Sequence, residues 1–560
     1  MKRKIIAALL FLTLCTPVVS APGWINKEKP MPVIPRPVQL TEKSGDFPLR
    51  DGAAFVFPGK EDWKRPALVF MEKIEKRHGV KLEAYSPVAA SEAESRCGKD
   101  EVPVSTGCMP CQSSIISGPP GWCQEQEKKH INFPEAEGYE IKAGPHTVKL
   151  TAMSPAGMHN GLMTLLQLVR ENERGPELPA VHVLDHPRFQ WRGMLLDSAR
   201  SFLPPDIIKK YIDLLSELKL NVLHWHLVDD QGWRIEVKSL PRLHEGGGVL
   251  SNLEDKKKRA LDRHGWGSDN RGYYTQEELK EIVEYAEARQ VMIVPEIDVP
   301  GHTSAMLAAY PELSCSGKEV PLRKGPGIYP TAVCPGKESV YEFLDTLFGE
   351  LETVFPAPYL HIGSDEVVAS DWMEYPPNQD ILEKTGYKGR EGLQRYFVER
   401  VNEILEKHGK TMIAWDEVTH YIPEGAVVQA WRKHKYARVA AEKGHYSVVS
   451  PTSHCYIDYP QLTFTLKNLY HFEPIPEGLD RELRHYILGG EVNLWGERVT
   501  VDNIDRKAFP RVIGHAEVMW TPPELKDWEH FQSRLKRVKK DMQKRGVGCG
   551  VTWRDIFGLL

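Results

Sequence analysis

The adjacent carboxylates Asp365 and Glu366 close a short apolar run, Tyr359-Leu-His-Ile-Gly-Ser. Carboxylates delivered at the end of a strand in an α/β chain suit acid chemistry on a substrate held above the sheet. Adjacency restricts that chemistry. Neighbouring Cα atoms lie about 3.8 Å apart, so the pair is poorly placed to flank a ring from opposite faces as two separate catalysts. One proton donor beside one orienting or stabilising charge fits the spacing better. A solvated turn after a polar strand end is the plain alternative, and the rest of the chain decides between them.

Other apolar runs end in groups of the same kind: Asp197 and Arg200, Asp229 and Asp230, Asp298 with His302, Trp415 and Asp416, Trp431, Tyr456 and Asp458, Trp495 and Glu497. His224-Trp-His226 opens a rival reading. Alternate residues of a strand share a face, so two imidazoles together with Asp229, Asp298 and His302 could ligate one metal. Structural or hydrogen-bonding histidines are the other account, and the Asp-Asp-Gln-Gly-Trp that follows resembles support for a polar site more than a metal cage. Trp415, Trp431 and Trp495, each beside Asp416, Arg432 or Glu497, fit an aromatic box with polar rims. Taken singly, each would read as core.

These groups must be carried by strands. The runs Arg192–Asp197, Asn221–Val228, Val291–Asp298, Pro358–Gly363, Thr411–Trp415, Val427–Trp431, Tyr446–Ser450 and Ile487–Leu494 read as strands. Amphipathic helices lie between most of them: Pro204–Leu218, Thr275–Arg289 behind a Thr-x-x-Glu capping box, Val340–Thr353 and Leu393–His408. Alternating strands and helices imply a (β/α)8 TIM barrel, whose site lies at the C-terminal strand ends. The connection after the sixth strand is the least distinct. The barrel is expected over 186–525, with a C-terminal helical segment at 526–560 packing on it. A smaller α+β domain precedes it over 22–185, with strands near Ala54–Val56 and Thr147–Thr151 and helices near Trp63–His78 and Gly157–Arg170.

Composition sets the outer bounds. The 560 residues carry 41% hydrophobic and 27% charged side chains with a formal net charge of −5, which gives no basic excess for nucleic acid. Lys2, Arg3 and Lys4, the apolar run from Ile5 to Leu14 and the small residues at Val19-Ser-Ala21 read as a signal peptide over 1–21. No segment is long enough for a transmembrane helix. Leu14 before Cys15 is bulky for a lipoprotein signal, so the expectation is a cleaved, exported protein, periplasmic or extracellular, rather than a lipid-anchored one. Cys97, Cys108, Cys111 and Cys123 fall in a Gly/Ser/Pro-rich insertion at about 97–123. Two disulfides fit an oxidising compartment, and a four-thiolate zinc site is the alternative. Cys315 and Cys334 bracket a loop and could form a further bridge. Nothing here specifies an oligomeric state.

Seven ordered motifs carry a resemblance: Trp191-Arg-Gly with Leu196-Asp-Ser-Ala-Arg200, Asn221 to Arg234, Gly272 to Glu278, Glu296-Ile-Asp-Val-Pro-Gly-His302, His361 to Glu366, Ala414-Trp-Asp-Glu417 and Leu494-Trp-Gly-Glu497. Together the chain resembles the β-N-acetylhexosaminidases, family 20 of the glycoside hydrolases. Val33-Ile-Pro-Arg-Pro37 and the Pro155 to Gln167 segment are similar to that family's N-terminal domain.

The resemblance implies an exo-acting, retaining enzyme with no cofactor and no metal, acting on glycans or glycoconjugates with a terminal β-linked N-acetylglucosamine or N-acetylgalactosamine. It implies Glu366 as general acid/base and Asp365 as the group orienting the substrate's own 2-acetamido nucleophile, with Asp229 and His302 as a relay behind the acid. It implies Arg200 and Glu497 on the outer hydroxyls, Trp415, Trp431 and Trp495 as walls, and Tyr456 and Asp458 at the acetamido group. A disaccharide-releasing lacto-N-biosidase-like member, a glycan-binding protein with a disabled site, and a metal-dependent barrel hydrolase are the alternatives. Two positions depart from the pattern. Ser364 stands where a second Gly is usual, which reduces backbone freedom at the turn, and 459–474 lacks the tryptophan that often follows Tyr-x-Asp.

Overall fold

The computed structural model describes residues 31–56, 61–85, 104–106, 134–246, 272–323 and 325–550. The leader at 1–21, the cysteines Cys97, Cys108, Cys111 and Cys123, and the tail from 551 lie outside the described residues.

Eight parallel strands close into a barrel: Trp191–Asp197, Val222–Asp229, Met292–Ile297, Tyr359–His361, Thr411–Trp415, Val427–Ala430, Ser447–Val449 and Ile487–Leu494. The last returns to the first, with Gly489 opposite Trp191 and Leu494 opposite Leu196. Helices cover the outside, so the strands are buried on both faces, with polar side chains among the apolar ones. The first, second and eighth strands are buried along their whole length. The register sets His226 beside both Asp197 and Glu296, and His361 beside Glu296. Four ionisable side chains therefore stand at one level of the barrel.

The covering helices follow the apolar periodicity. Pro205–Glu217 buries Ile208, Tyr211, Ile212, Leu214 and Leu215, and Gln276–Glu287 begins at Thr275 with the expected capping box formed in both directions. The helix expected from Leu393 starts at Gly389. Its first turn is polar and solvent-facing, so the apolar stripe announces it one turn late. The sixth and seventh strands are joined through Lys435–Glu442, and the seventh and eighth through the short helices Thr452–Cys455 and Leu466–Tyr470. Those pieces are too short to leave a period in the sequence.

The preceding unit is an eight-stranded sheet backed by helices Glu61–His78 and Pro155–Leu168. Charged pairs tie it to the barrel: Arg192 Nη2 meets Glu137 Oε2 at 2.6 Å, and Lys73 Nζ meets Glu217 Oε1 at 2.8 Å. Helix Trp528–Lys544 packs back through Arg534, which donates to Glu517 at 3.0 Å and to the Val33 carbonyl at 2.8 Å. Cys315 and Cys334 form a disulfide. Among the described residues no helix is long and apolar enough to cross a membrane.

Candidate active site

All eight strands deliver side chains to the same end of the barrel. The carboxylate pair sits on a tight turn, where Gly363, Ser364 and Glu366 take φ of +63°, +69° and +48°. Left-handed backbone costs a residue with a Cβ about 1–2 kcal/mol, so such a turn must be held from outside. Asp298 Oδ1 accepts the Ser364 N–H at 3.2 Å, Gln394 Nε2 donates to the Ser364 carbonyl at 2.8 Å, and the Gly363 N–H donates to His361 Nδ1 at 2.9 Å. Glycine is required at 363 on a second count, because a Cβ there would lie 2.0 Å from Asp298 Oδ1. Ser364 therefore occupies the turn without a second glycine, its strain held by Asp298 and Gln394.

Glu366 Oε2 lies 3.6 Å from His302 Nε2, and His302 Nδ1 lies 3.3 Å from Asp229 Oδ1 and 3.2 Å from Asp230 Oδ2. Burial opposes a charge on this imidazole, but Asp229 and Asp230 outweigh it and hold His302 well above the ordinary imidazole range. Asp229 is buried too, yet Arg200, His302 and His226 keep it far below the usual carboxylate range. Its Oδ2 takes Arg200 Nη2 at 2.7 Å. The arrangement is a carboxyl at the cavity backed by a buried imidazole and two carboxylates.

Asp365 differs from its neighbour. Burial, with Glu296 and Glu366 adding to it against His302, pushes its carboxyl up to about 6. Its Oδ1 is buried and meets no hydrogen-bond donor among the described residues. A buried acceptor without a donor costs about 1–3 kcal/mol, and such a group at a cavity wall points to a ligand N–H or O–H.

The cavity encloses about 400 Å³ and is lined by Arg200, Asp365, Glu366, Trp431, Tyr456, Asp458, Trp495 and Glu497, together with Pro326, Tyr459 and Arg498. Trp431 stacks on Tyr456 with centroids 6.2 Å apart, and its Nε1 donates to Glu417 Oε2 at 3.0 Å. Burial and then Asp365 push Glu417 up to about 8; burial and then Glu497 push Asp458 up to about 7. Trp415 is not among the lining residues. It is buried against His361 and Trp495 with its Nε1–H on Glu296 Oε1 at 2.9 Å, and so backs the wall from beneath. His302 and Asp229 likewise stand behind Glu366 rather than in the cavity.

Pro326, Tyr459 and Arg498 carry no motif and were not expected. Arg498 lies over the ring of Tyr459 at 4.8 Å, and Tyr459 opens the 459–474 segment that lacks a tryptophan. Pro326 comes from the loop that the Cys315–Cys334 disulfide closes. A second cavity, of about 350 Å³, opens at the other end of the barrel between Trp191, Val222, Tyr359 and Leu488, and none of the residues lining the first cavity lines it.

Several groups could in principle take a metal, among them His224 with Glu296 and His361, and His226 with Asp229 and Asp298. Some of their nitrogens are already committed, while His224 Nε2 and His361 Nε2 meet no hydrogen-bond partner among the described residues. His226 bonds a carboxylate through each ring nitrogen, His224 Nδ1 bonds Glu491 at 2.8 Å, and His361 Nδ1 accepts the Gly363 N–H. A ligand nitrogen needs a free lone pair, which His226 lacks.

The sequence matches the family models described as "Glycosyl hydrolase family 20, catalytic domain" over residues 189–523 and "Glycosyl hydrolase family 20, domain 2" over 30–186. It is 32% identical to a β-hexosaminidase of Porphyromonas gingivalis over 563 residues, covering 97% of this chain and 67% of that one. The fold is similar to the chitobiase of Flavobacterium johnsoniae, with TM-score 0.77 and 30% identity over 94% of this chain and 74% of that one. It is also similar to an exo β-N-acetylglucosaminidase of Vibrio harveyi solved with N-acetylglucosamine, with TM-score 0.78 and 28% identity over 93% and 79% of the two chains.

Proposed function

Because the chain belongs to glycosyl hydrolase family 20, we propose that it is an exo-acting, retaining β-N-acetylhexosaminidase whose substrate supplies the nucleophile. The observation that carries this reading is the buried, unpartnered Asp365 Oδ1 at the cavity wall. A 2-acetamido N–H offers the donor it lacks. With the amide so held, its carbonyl oxygen turns toward the anomeric carbon, and Tyr456 lines the same cavity to steady the acetamido group with Asp458. Glu366 protonates the departing glycosidic oxygen as that carbonyl attacks. The resulting oxazolinium cation lies against the Asp365 carboxylate, where a fixed anion in a water-poor site acts most strongly. Glu366 then takes a proton from water, which opens the ring with overall retention. Arg200 and Glu497 bind the outer hydroxyls, while Trp431 and Trp495, backed by Trp415, enclose the sugar faces.

The test is hydrolysis of chromogenic β-N-acetylglucosaminide, β-N-acetylgalactosaminide, β-glucoside and lacto-N-bioside side by side. We expect both N-acetylhexosaminides to be cleaved and the β-glucoside and lacto-N-bioside to be left. Cleavage of lacto-N-bioside alone would identify the disaccharide-releasing reading, and cleavage of none a binding protein. Metal plays no part in this chemistry: prolonged chelation, followed by metal analysis, is expected to leave activity near its starting level. Activity lost on chelation and restored by zinc or manganese would reverse that. The basic, apolar leader and the Cys315–Cys334 disulfide support export to an oxidising compartment, periplasmic or extracellular.

A further inference from the structure

Beneath the acid the barrel interior holds a ladder of alternating carboxylates and imidazoles. Glu491 Oε1 bonds His224 Nδ1 at 2.8 Å, and His224 Nε2 lies 3.1 Å from Glu296 Oε2. The same Glu296 oxygen bonds His226 Nδ1 at 2.5 Å, and His226 Nε2 bonds Asp229 Oδ2 at 2.8 Å. Asp229 then faces His302, and His302 faces Glu366. Glu491, His224, Glu296 and His226 are fully buried, and none lines the cavity. Burying four ionisable groups is costly unless they are paired, and nothing in the reaction described above uses them.

The geometry fixes a protonation state. A neutral imidazole has one N–H and one lone pair. His226 meets a carboxylate oxygen at each nitrogen, and both carboxylates are held far below their usual range, so each can only accept. Both nitrogens of His226 must therefore carry hydrogen. We propose that Glu296 is a positioning residue that locks His226 as a doubly donating imidazolium, and that this charged grip on Asp229 keeps His302 aligned behind the acid. The consequence for catalysis rests on reading Glu366 as the acid. Glu296 serves the site twice, since its other oxygen accepts the Nε1–H of Trp415.

Other groups act on the pair. Around Glu296 stand His224, His226 and His361, with the carboxyls of Asp298 and Asp365, both raised by burial, nearby; around His226 stand Glu296, Asp229 and Asp197, with the Trp495 ring edge-on at 5.2 Å. Burial works against charge on His226, yet the carboxylates raise it well above the imidazole range. His226 therefore stays charged through neutral pH.

Glu296→Gln keeps the size but removes the anion, and its single carbonyl oxygen can accept the His226 Nδ1–H only by giving up the Trp415 Nε1–H. His226 is then held charged by one carboxylate fewer and loses its proton at lower pH than in the wild type. We expect the variant to keep most of its activity at acid pH, where solvent protonates His226. Its kcat should fall about tenfold or more relative to wild type on passing to pH 8, the scale of a misaligned support, with KM little changed. A uniform loss at all pH values, or no loss, would overturn the proposal. Should the variant fail to fold, a neutron structure of the wild-type enzyme at pH 7 decides: deuterium on both nitrogens of His226 supports the lock, and on one refutes it. That outcome stands apart from the role of Glu366, whose own substitution tests the acid.

Discussion

Glu366→Gln is expected to lower turnover by about 10²–10⁴-fold on substrates with poor leaving groups, the range of positioned general acid catalysis. Glu366 lines the cavity, and its carboxyl faces an imidazole held in the charged form by Asp229 and Asp230. An amide of the same shape fills its place without a transferable proton. Activated aryl leaving groups need little protonation, so the first step should suffer less on them and the water-consuming step should become limiting. A plot of log kcat/KM against leaving-group pKa should therefore steepen in the variant. Equal losses for leaving groups of widely different pKa would remove Glu366 from the role.

The second large effect falls on Asp365. Asp365→Asn should reduce kcat by about 10²–10³-fold, as for the loss of one group aimed at developing charge, while the fold stays intact. The asparagine retains an acceptor oxygen but not the anion that faces the cation. The wild-type acid limb follows from the same group. Burial raises Asp365 to about 6, and the anion is the working form, so kcat/KM should fall as pH drops through about 6. That limb should be absent from Asp365→Asn. An unchanged acid limb in the variant would assign it to another residue.

The barrel was legible because its strands are buried on both faces and so are rich in apolar residues, as in Thr411–Trp415. The short fourth strand shows where that signal thins. Tyr359–His361 is three residues long, because Gly363 and Ser364 have already entered the left-handed turn. Carboxylates at strand ends could be read because a barrel gathers its strand ends on one rim. The depth of Trp415 could not, since a strand-end tryptophan reads the same whether it faces sugar or backs another ring. Pro326, Tyr459 and Arg498 lie in loops whose course depends on the disulfide and on neighbouring loops. The pairing of His224 and His226 with Glu296 and Glu491 depends on the register of three strands, which explains why the histidine pair alone left a metal site open.

The most direct test of the account is a series of aryl β-glucosaminides whose N-acetyl group carries zero, one, two or three fluorines. Fluorine changes the size of the group little and withdraws electrons from the carbonyl oxygen that is taken to attack. If the substrate's acetamide is the nucleophile beside Asp365, kcat/KM should fall steeply and monotonically along the series. A flat response would contradict substrate assistance and require a nucleophile from the protein.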